Sequence, residues 1–341
     1  MIREGGGNSR SEATVSLGLQ WLARHQAPSG RWGINDFSKY TGCNCAGCGL
    51  EKDPAAATAL ALLPFLAAGE THKGTGRNHR HQPIVDRGLR FLLQQQRDDG
   101  SFGGPFANAL ATLALCEAYG LTADPALKQP AQRAADCIAG SQRQAGGWAA
   151  SSYEPPDLEI TGWHVLALKS ATFAGFSVPN LTWSEVTAYF DSVGSADGSY
   201  YGSRALTPIA LHCRMELGWT RRHPGLNRGV ERLTEDTPGV RRESIVTLYH
   251  AHNVVHHFRH REDQWTEQVR DLLVSRQDLG SIACQKGSWK PGDDWTGKKL
   301  GRLGTTALSL LILEPRVRML SYMNPYRPGL MKDEAIRDAV K

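Results

Sequence analysis

Apolar positions along the chain fall into two alternating patterns. In one, apolar residues recur at helical spacing with polar residues between them, as in Gly18-Leu19-Gln20-Trp21-Leu22 and Gly88-Leu89-Arg90-Phe91-Leu92. That is the mark of an amphipathic helix with one buried stripe. In the other, residues 55–68, 107–119, 160–174, 206–217, 245–258 and 303–313 are apolar on most faces, so those helices belong in an interior. Glycine turns, most with an aromatic residue, separate the two kinds: Gly30-Arg31-Trp32-Gly33, Gly100-Ser101-Phe102-Gly103, Gly146-Gly147-Trp148, Gly198-Ser199-Tyr200 and Gly287-Ser288-Trp289, with a degenerate copy at Pro238-Gly239.

The pattern is a repeat. The marker glycines Gly30, Gly100, Gly147, Gly198, Gly239 and Gly287 step by 70, 47, 51, 41 and 48 residues, which gives six units of about 45 residues, the first lengthened by insertions. Twelve helices in six hairpins predict an all-α protein: an α/α toroid whose apolar helices form an inner ring and whose amphipathic helices form an outer one. The expected toroid spans residues 11–320, between a polar, disordered tail at 1–10 and an extension at 321–341. A closed ring surrounds a central cavity, the natural place for a ligand. Gln26, Gln96, Gln142 and Gln277, with Trp32, Phe102, Trp148 and Trp289, recur at the turns. There an amide satisfies the exposed backbone of a helix end and a ring covers it, so these residues are read as scaffold.

These glutamine-to-glycine-aromatic units resemble the squalene cyclase and prenyltransferase repeat superfamily. The match runs over about residues 11–320 and is nearest to a bacterial group of repeat proteins without an assigned reaction. It is carried also by Ala57-Thr58-Ala59-Leu60-Ala61-Leu62-Leu63-Pro64-Phe65-Leu66, by Ala109-Leu110-Ala111-Thr112-Leu113-Ala114-Leu115-Cys116 and by Thr161-Gly162-Trp163. The resemblance implies the toroid of terpenoid cyclases and protein prenyltransferases. It speaks less to activity, because the same scaffold carries thioester domains and carbohydrate enzymes.

Composition narrows the partners. With 39 basic and 34 acidic residues the formal net charge is +5, with no block of like charges, so no nucleic-acid arm is expected. Residues 1–10 carry no apolar signal-peptide core, and no run of about 18 apolar residues occurs. The chain as given reads as cytoplasmic, with peripheral membrane contact left open. The seven cysteines are an odd number, against a fully paired disulfide framework.

Three candidate chemistries remain. Class II terpene cyclases place an Asp-x-Asp-Asp motif at the start of an inner helix, and the resemblance aligns Asp157-x-Glu159-Ile160 with it. Protonating an alkene needs a carboxylic acid kept neutral in an apolar pocket, which assigns Glu159 as the acid and Asp157 as its partner. The competing reading is a helix cap at Asp157 and a dipole-complementing Glu159. Second, Cys43, Cys45 and Cys48 have the spacing of zinc thiolates; a redox-labile thiol cluster, a local disulfide and an inert loop are the alternatives. Prenyltransferases of this fold bind zinc through an Asp-x-Cys pair, which this sequence lacks. Third, Gly47-Cys48-Gly49-Leu50-Glu51 looks like a thioester motif, but Glu51 stands where the acyl-donating glutamine is needed.

Polar and aromatic residues on the inner helices, Asn108, Trp163, His164, His212, Tyr249, Asn253 and His256, are candidates to line the cavity. Trp163 and Tyr249 could stabilise a carbocation through their π faces. The expected function is that of a class II terpene cyclase-like enzyme (isomerase or lyase) holding a polyprenyl or triterpenoid chain. The alternatives are a non-catalytic lipid-binding or protein-interaction toroid and a zinc-dependent prenyltransferase-like enzyme.

Overall fold

A computed structural model describes residues 9–40, 42–73, 80–151, 153–195, 197–239, 243–259, 263–280 and 282–314. The predicted extension at 321–341 and most of the predicted tail at 1–10 lie outside the described residues. Among them are thirteen helices and no strand: α1 (Ser9–Arg24), the short α2 (Phe37–Tyr40), α3 (Pro54–Ala67), α4 (Gln82–Gln95), α5 (Pro105–Thr122), α6 (Pro125–Gly140), α7 (Leu158–Phe173), α8 (Asn180–Val193), α9 (Thr207–Glu216), α10 (Pro224–Leu233), α11 (Ile245–Arg259), α12 (Gln264–Arg276) and α13 (Trp295–Leu313).

Apart from α2, the helices pair as six outer–inner hairpins. The inner helices α3, α5, α7, α9, α11 and α13 pack each on the next, and α13 packs on α3, so the ring is closed. In α3 every residue from Ala55 to Ala67 is buried, as a helix enclosed by neighbours requires. Starts are set by local chemistry. Asp53, Asp157 and Asp294 cap α3, α7 and α13 by accepting hydrogen bonds from backbone N–H groups in the first turn, and Pro54 and Pro105 open α3 and α5.

The recurring glutamines do what their position predicts. Gln26 Nε2 donates to Gly30 O and to Ile84 O, both at 2.9 Å. Gln96 reaches Gly100 O and Pro130 O, and Gln142 reaches Gly146 O and Thr182 O. Gln277 donates to Gly287 O at 3.0 Å and to Thr14 O at 2.8 Å, which joins the last hairpin to the first. Each amide thus ties its own turn to the next outer helix. The third turn glycine is Gly146 (φ 87°), one residue before the expected marker. At Gly30 (φ 90°) a Cβ would stand 2.4 Å from Arg87 O, and at Gly287 (φ 97°) 2.3 Å from Leu17 O, so only glycine permits the approach.

Two features depart from expectation. The sixth inner helix begins at Trp295, well before residue 303, because Asp294 caps it and the Gly-rich stretch is held by an outside loop. It kinks at Gly301 (φ 58°), where Arg302 N donates to Gly47 O at 2.7 Å and Leu50 N and Glu51 N donate to Lys299 O at 3.0 Å. The loop between α2 and α3 therefore fills the gap the kink opens.

Candidate functional site

The first two turns of the inner helices α5, α7, α9, α11 and α13 bring several of the candidate residues together. Trp163, on α7, stacks on Tyr249 of α11 with centroids 5.7 Å apart and planes 10° apart. Because α9 lies between α7 and α11, this contact crosses the inside of the ring. Phe106 of α5 meets Trp163 edge-on at 6.2 Å, and His250 meets it at 5.3 Å. His212 of α9 lies with Nδ1 3.0 Å from His250 Nδ1 and edge-on to Tyr249. Lys299 Nζ, from α13, stands 4.9 Å from the Phe106 centroid.

Glu159 sits in the first turn of α7 at this mouth, half-buried. Burial raises its carboxyl above the ordinary 4.5; the Lys299 charge opposes the shift, and Asp157 adds to it. The Lys299 charge acts on Glu159 from α13, on the opposite side of the ring from α7. Asp157 itself is exposed, with its carboxylate accepting from Ile160 N at 2.8 Å, so the capping reading describes what it does here.

The remaining candidates divide. Asn108 accepts from Phe102 N at 2.7 Å, the bond that Thr58 and Thr161 make to Trp32 and Trp148. His164 stacks on Trp148 at 5.3 Å, with Nδ1 2.8 Å from Ile160 O, and burial lowers it to about 4. Both stand at the turns. Asn253 donates to Tyr249 O at 2.7 Å. His256 stacks on His252 at 5.6 Å; with Tyr249 these occupy positions i, i+3 and i+7, a stripe running down α11 from the mouth. Buried polar atoms without a partner among the described residues include Trp163 Nε1, Thr112 Oγ1, His252 Nδ1 and Ser309 Oγ, each on an inner helix.

The cysteine loop forms a second cluster, away from the mouth residues in sequence and in chemistry. His25, Cys43 and Cys45 bring their ligand atoms within 4.8 Å of one another and could hold a metal ion. Cys48, expected in that set, is outside it: Gly47 (φ 92°) turns the chain, and Cys48 is exposed, with Sγ 3.8 Å from Ser38 Oγ. His25 was missed because it lies at the end of the first outer helix and carries no spacing signal.

Residues 4–103 match the family model of the squalene-hopene cyclase C-terminal domain. No curated protein matches the chain. Among solved structures, a substituted form of the type II terpene cyclase MstE from Scytonema, in complex with geranylgeranyl dihydroxybenzoate, is 14% identical with a TM-score of 0.58, covering 91% of this chain and 98% of that one. The α-1,6-mannanase from Salegentibacter sp. HEL1_6 is 12% identical with a TM-score of 0.63, covering 92% and 100%. An α-amylase from Clostridium perfringens is 12% identical with a TM-score of 0.60, covering 91% and 99%. The chain is thus an all-helical toroid whose residues 4–103 are similar to the squalene-hopene cyclase C-terminal domain. At such identities the structural likeness is one of fold, and carbohydrate enzymes share the ring. No helix among the described residues is long and apolar enough to cross a membrane.

Proposed function

We propose that the chain is a terpene cyclase-like protein that takes an isoprenoid chain at the mouth of the ring, with Glu159 as proton donor. The observation that carries this reading is a carboxyl whose burial favours its neutral form, at a mouth furnished with Phe106, Trp163 and Tyr249. A neutral acid can protonate an alkene, and aromatic faces stabilise the cation that results. Lys299 opposes the neutral form, and its charge would have to be drawn off by the substrate. An anionic head group, such as a diphosphate or a carboxylate, could do so. Asp157 would contribute through its charge, which pushes Glu159 further toward the protonated state.

One observation favours a rival. Trp163 and Tyr249 stack across the inside of the ring and are both buried, as a non-catalytic lipid-binding or interaction toroid would allow. The zinc-dependent prenyltransferase reading is supported less, because the Cys43 cluster is joined to no Asp-x-Cys pair.

Incubating the full chain with geranylgeranyl diphosphate, squalene and related polyprenyls, followed by mass spectrometry, separates these readings. Cyclised product that drops at least about a hundredfold in Glu159→Gln supports the cyclase. Tight binding without product supports the rival, and product that survives Glu159→Gln removes Glu159 from the acid role.

A further inference from the structure

We propose that the ring is closed by a structural zinc ion bound by His25, Cys43, Cys45 and Cys284, a Cys3His site joining the first hairpin to the last. His25 follows the outer helix α1, and Cys43 and Cys45 lie in the loop that leads to α3. Cys284 comes from the far end of the chain, in a 3₁₀ turn (Ala283–Gln285) between α12 and α13.

The donor geometry fits the metal. Zinc bonds of about 2.3 Å to sulfur and about 2.0 Å to nitrogen, at tetrahedral angles, space a nitrogen and a sulfur ligand about 3.5 Å apart. His25 Nε2 stands 3.2 Å from Cys43 Sγ and 3.4 Å from Cys45 Sγ. The neighbouring thiols of Cys284 and Cys43, after burial, both push the Cys45 thiol up, which places Cys284 beside the cluster. Three N and S donors therefore gather around one point, and the Cys284 thiol beside Cys45 would complete the set by turning in toward it.

The tautomer of His25 is also determined. Its Nδ1 lies 2.7 Å from Trp21 O; a carbonyl only accepts, so Nδ1 carries the hydrogen and Nε2 presents its lone pair to the sulfurs. A ring nitrogen held by a backbone carbonyl while the other faces the metal is the usual support for a ligating histidine. Stacking on Trp21 at 4.1 Å fixes the ring plane. The same Trp21 donates from Nε1 to Cys284 O at 3.0 Å, so one side chain orients ligands from both ends of the chain.

The charge is matched too. Three thiolates, a neutral imidazole and a divalent ion sum to one negative charge. Arg24 and Arg302 both act electrostatically on His25, and the buried Arg302 donates from Nε to Ala46 O at 2.9 Å, inside the same loop. Four protein ligands leave no open position, which marks a structural site and not a catalytic one. The site is independent of the isoprenoid reading. It explains why a long insertion sits in the first repeat alone: that repeat is the one that has to find the sixth.

The test is the metal content of the full chain purified under reducing conditions. About one zinc per chain is expected, falling at least fivefold in Cys45→Ser and Cys284→Ser and unchanged in Cys48→Ser. Because a ligand variant that fails to fold would also lose metal, the wild-type chain supplies a second measurement. Removing its zinc with a chelator should make three further thiols reactive and lower Tm by on the order of 10 °C. Replacing zinc with cobalt should give the intense visible bands of tetrahedral thiolate coordination. A chain that neither retains nor takes up zinc, a disulfide among Cys43, Cys45 and Cys284 in the reduced preparation, or equal loss of zinc in Cys48→Ser would overturn the proposal.

Discussion

Trp148, which packs on α7, and Trp163, which belongs to it, are both 1% exposed, yet they stand in opposite circumstances. Trp148 Nε1 donates to Ile138 O at 2.8 Å, its ring covers His164, and its backbone N–H is taken by Thr161. Trp32 and Trp289 repeat the indole bond to Leu22 O and Leu273 O. At Trp163's place, two residues after the threonine, no other unit carries a tryptophan, and its Nε1 finds no acceptor among the described residues. A buried donor left unpaired costs about 1–3 kcal/mol. What repeats and is satisfied holds the ring together. What occurs once and is unsatisfied marks where a ligand would supply the missing partner.

The largest expected effect tests the scaffold side. Burial lowers His164 to about 4, below the ordinary 6.5, so the unfolded chain binds the extra proton first and stability falls as pH drops from about 6.5 toward 4. The loss attributable to this group is on the order of 3 kcal/mol. Urea denaturation at pH 7 and pH 4 should show the wild type losing more than His164→Gln. Equal losses would mean that the imidazole packed on Trp148 is not held neutral by the fold.

Next comes the tryptophan pair itself. Trp148→Phe removes an indole bond and leaves Ile138 O without its donor, for an expected cost of about 2 kcal/mol. Trp163→Phe removes a donor that had no partner, which offsets part of the lost packing, so its cost should stay under about 1 kcal/mol. Any isoprenoid binding should respond the other way, weakening in Trp163→Phe and holding in Trp148→Phe. Denaturation and ligand titration on both variants check this, and costs in the reverse order would break the distinction.

The same division governs what the sequence could tell. Gln26, Gln142, Gln277 and their aromatic partners were legible because a repeat states its rule several times, and the hairpin ring follows from that rule. Residues that act once had no such support. Asp157 resembled half of a catalytic motif and proves to cap its helix through a local bond to Ile160 N. Cys48 shared a loop with two potential ligands, but Gly47 turns it outward. His25 and Cys284 lie 259 residues apart, and only ring closure brings them together. The early start of α13 was hidden for a similar reason, since its kink at Gly301 is stabilised by Gly47 and Gly49 from a distant loop.

The smallest effect is expected at Glu159, and it bears most directly on the mouth. Burial raises this carboxyl above 4.5, while Lys299 works against the shift. A raised folded value means that the native state holds its proton more tightly than the unfolded chain does. The associated stability is present below about pH 4 and is lost as pH rises through the folded value. Glu159→Gln, which keeps the shape and cannot ionise, should therefore be more stable than wild type at pH 8 by about 1 kcal/mol or less, with the difference shrinking to nothing at pH 4. Thermal denaturation at the two pH values measures it. If Glu159→Gln is instead less stable at pH 8, attraction to Lys299 outweighs burial and the carboxylate is an ion-pair partner across the ring. Glu159 would then belong with the satisfied residues of the scaffold, and the mouth would be left without a neutral acid.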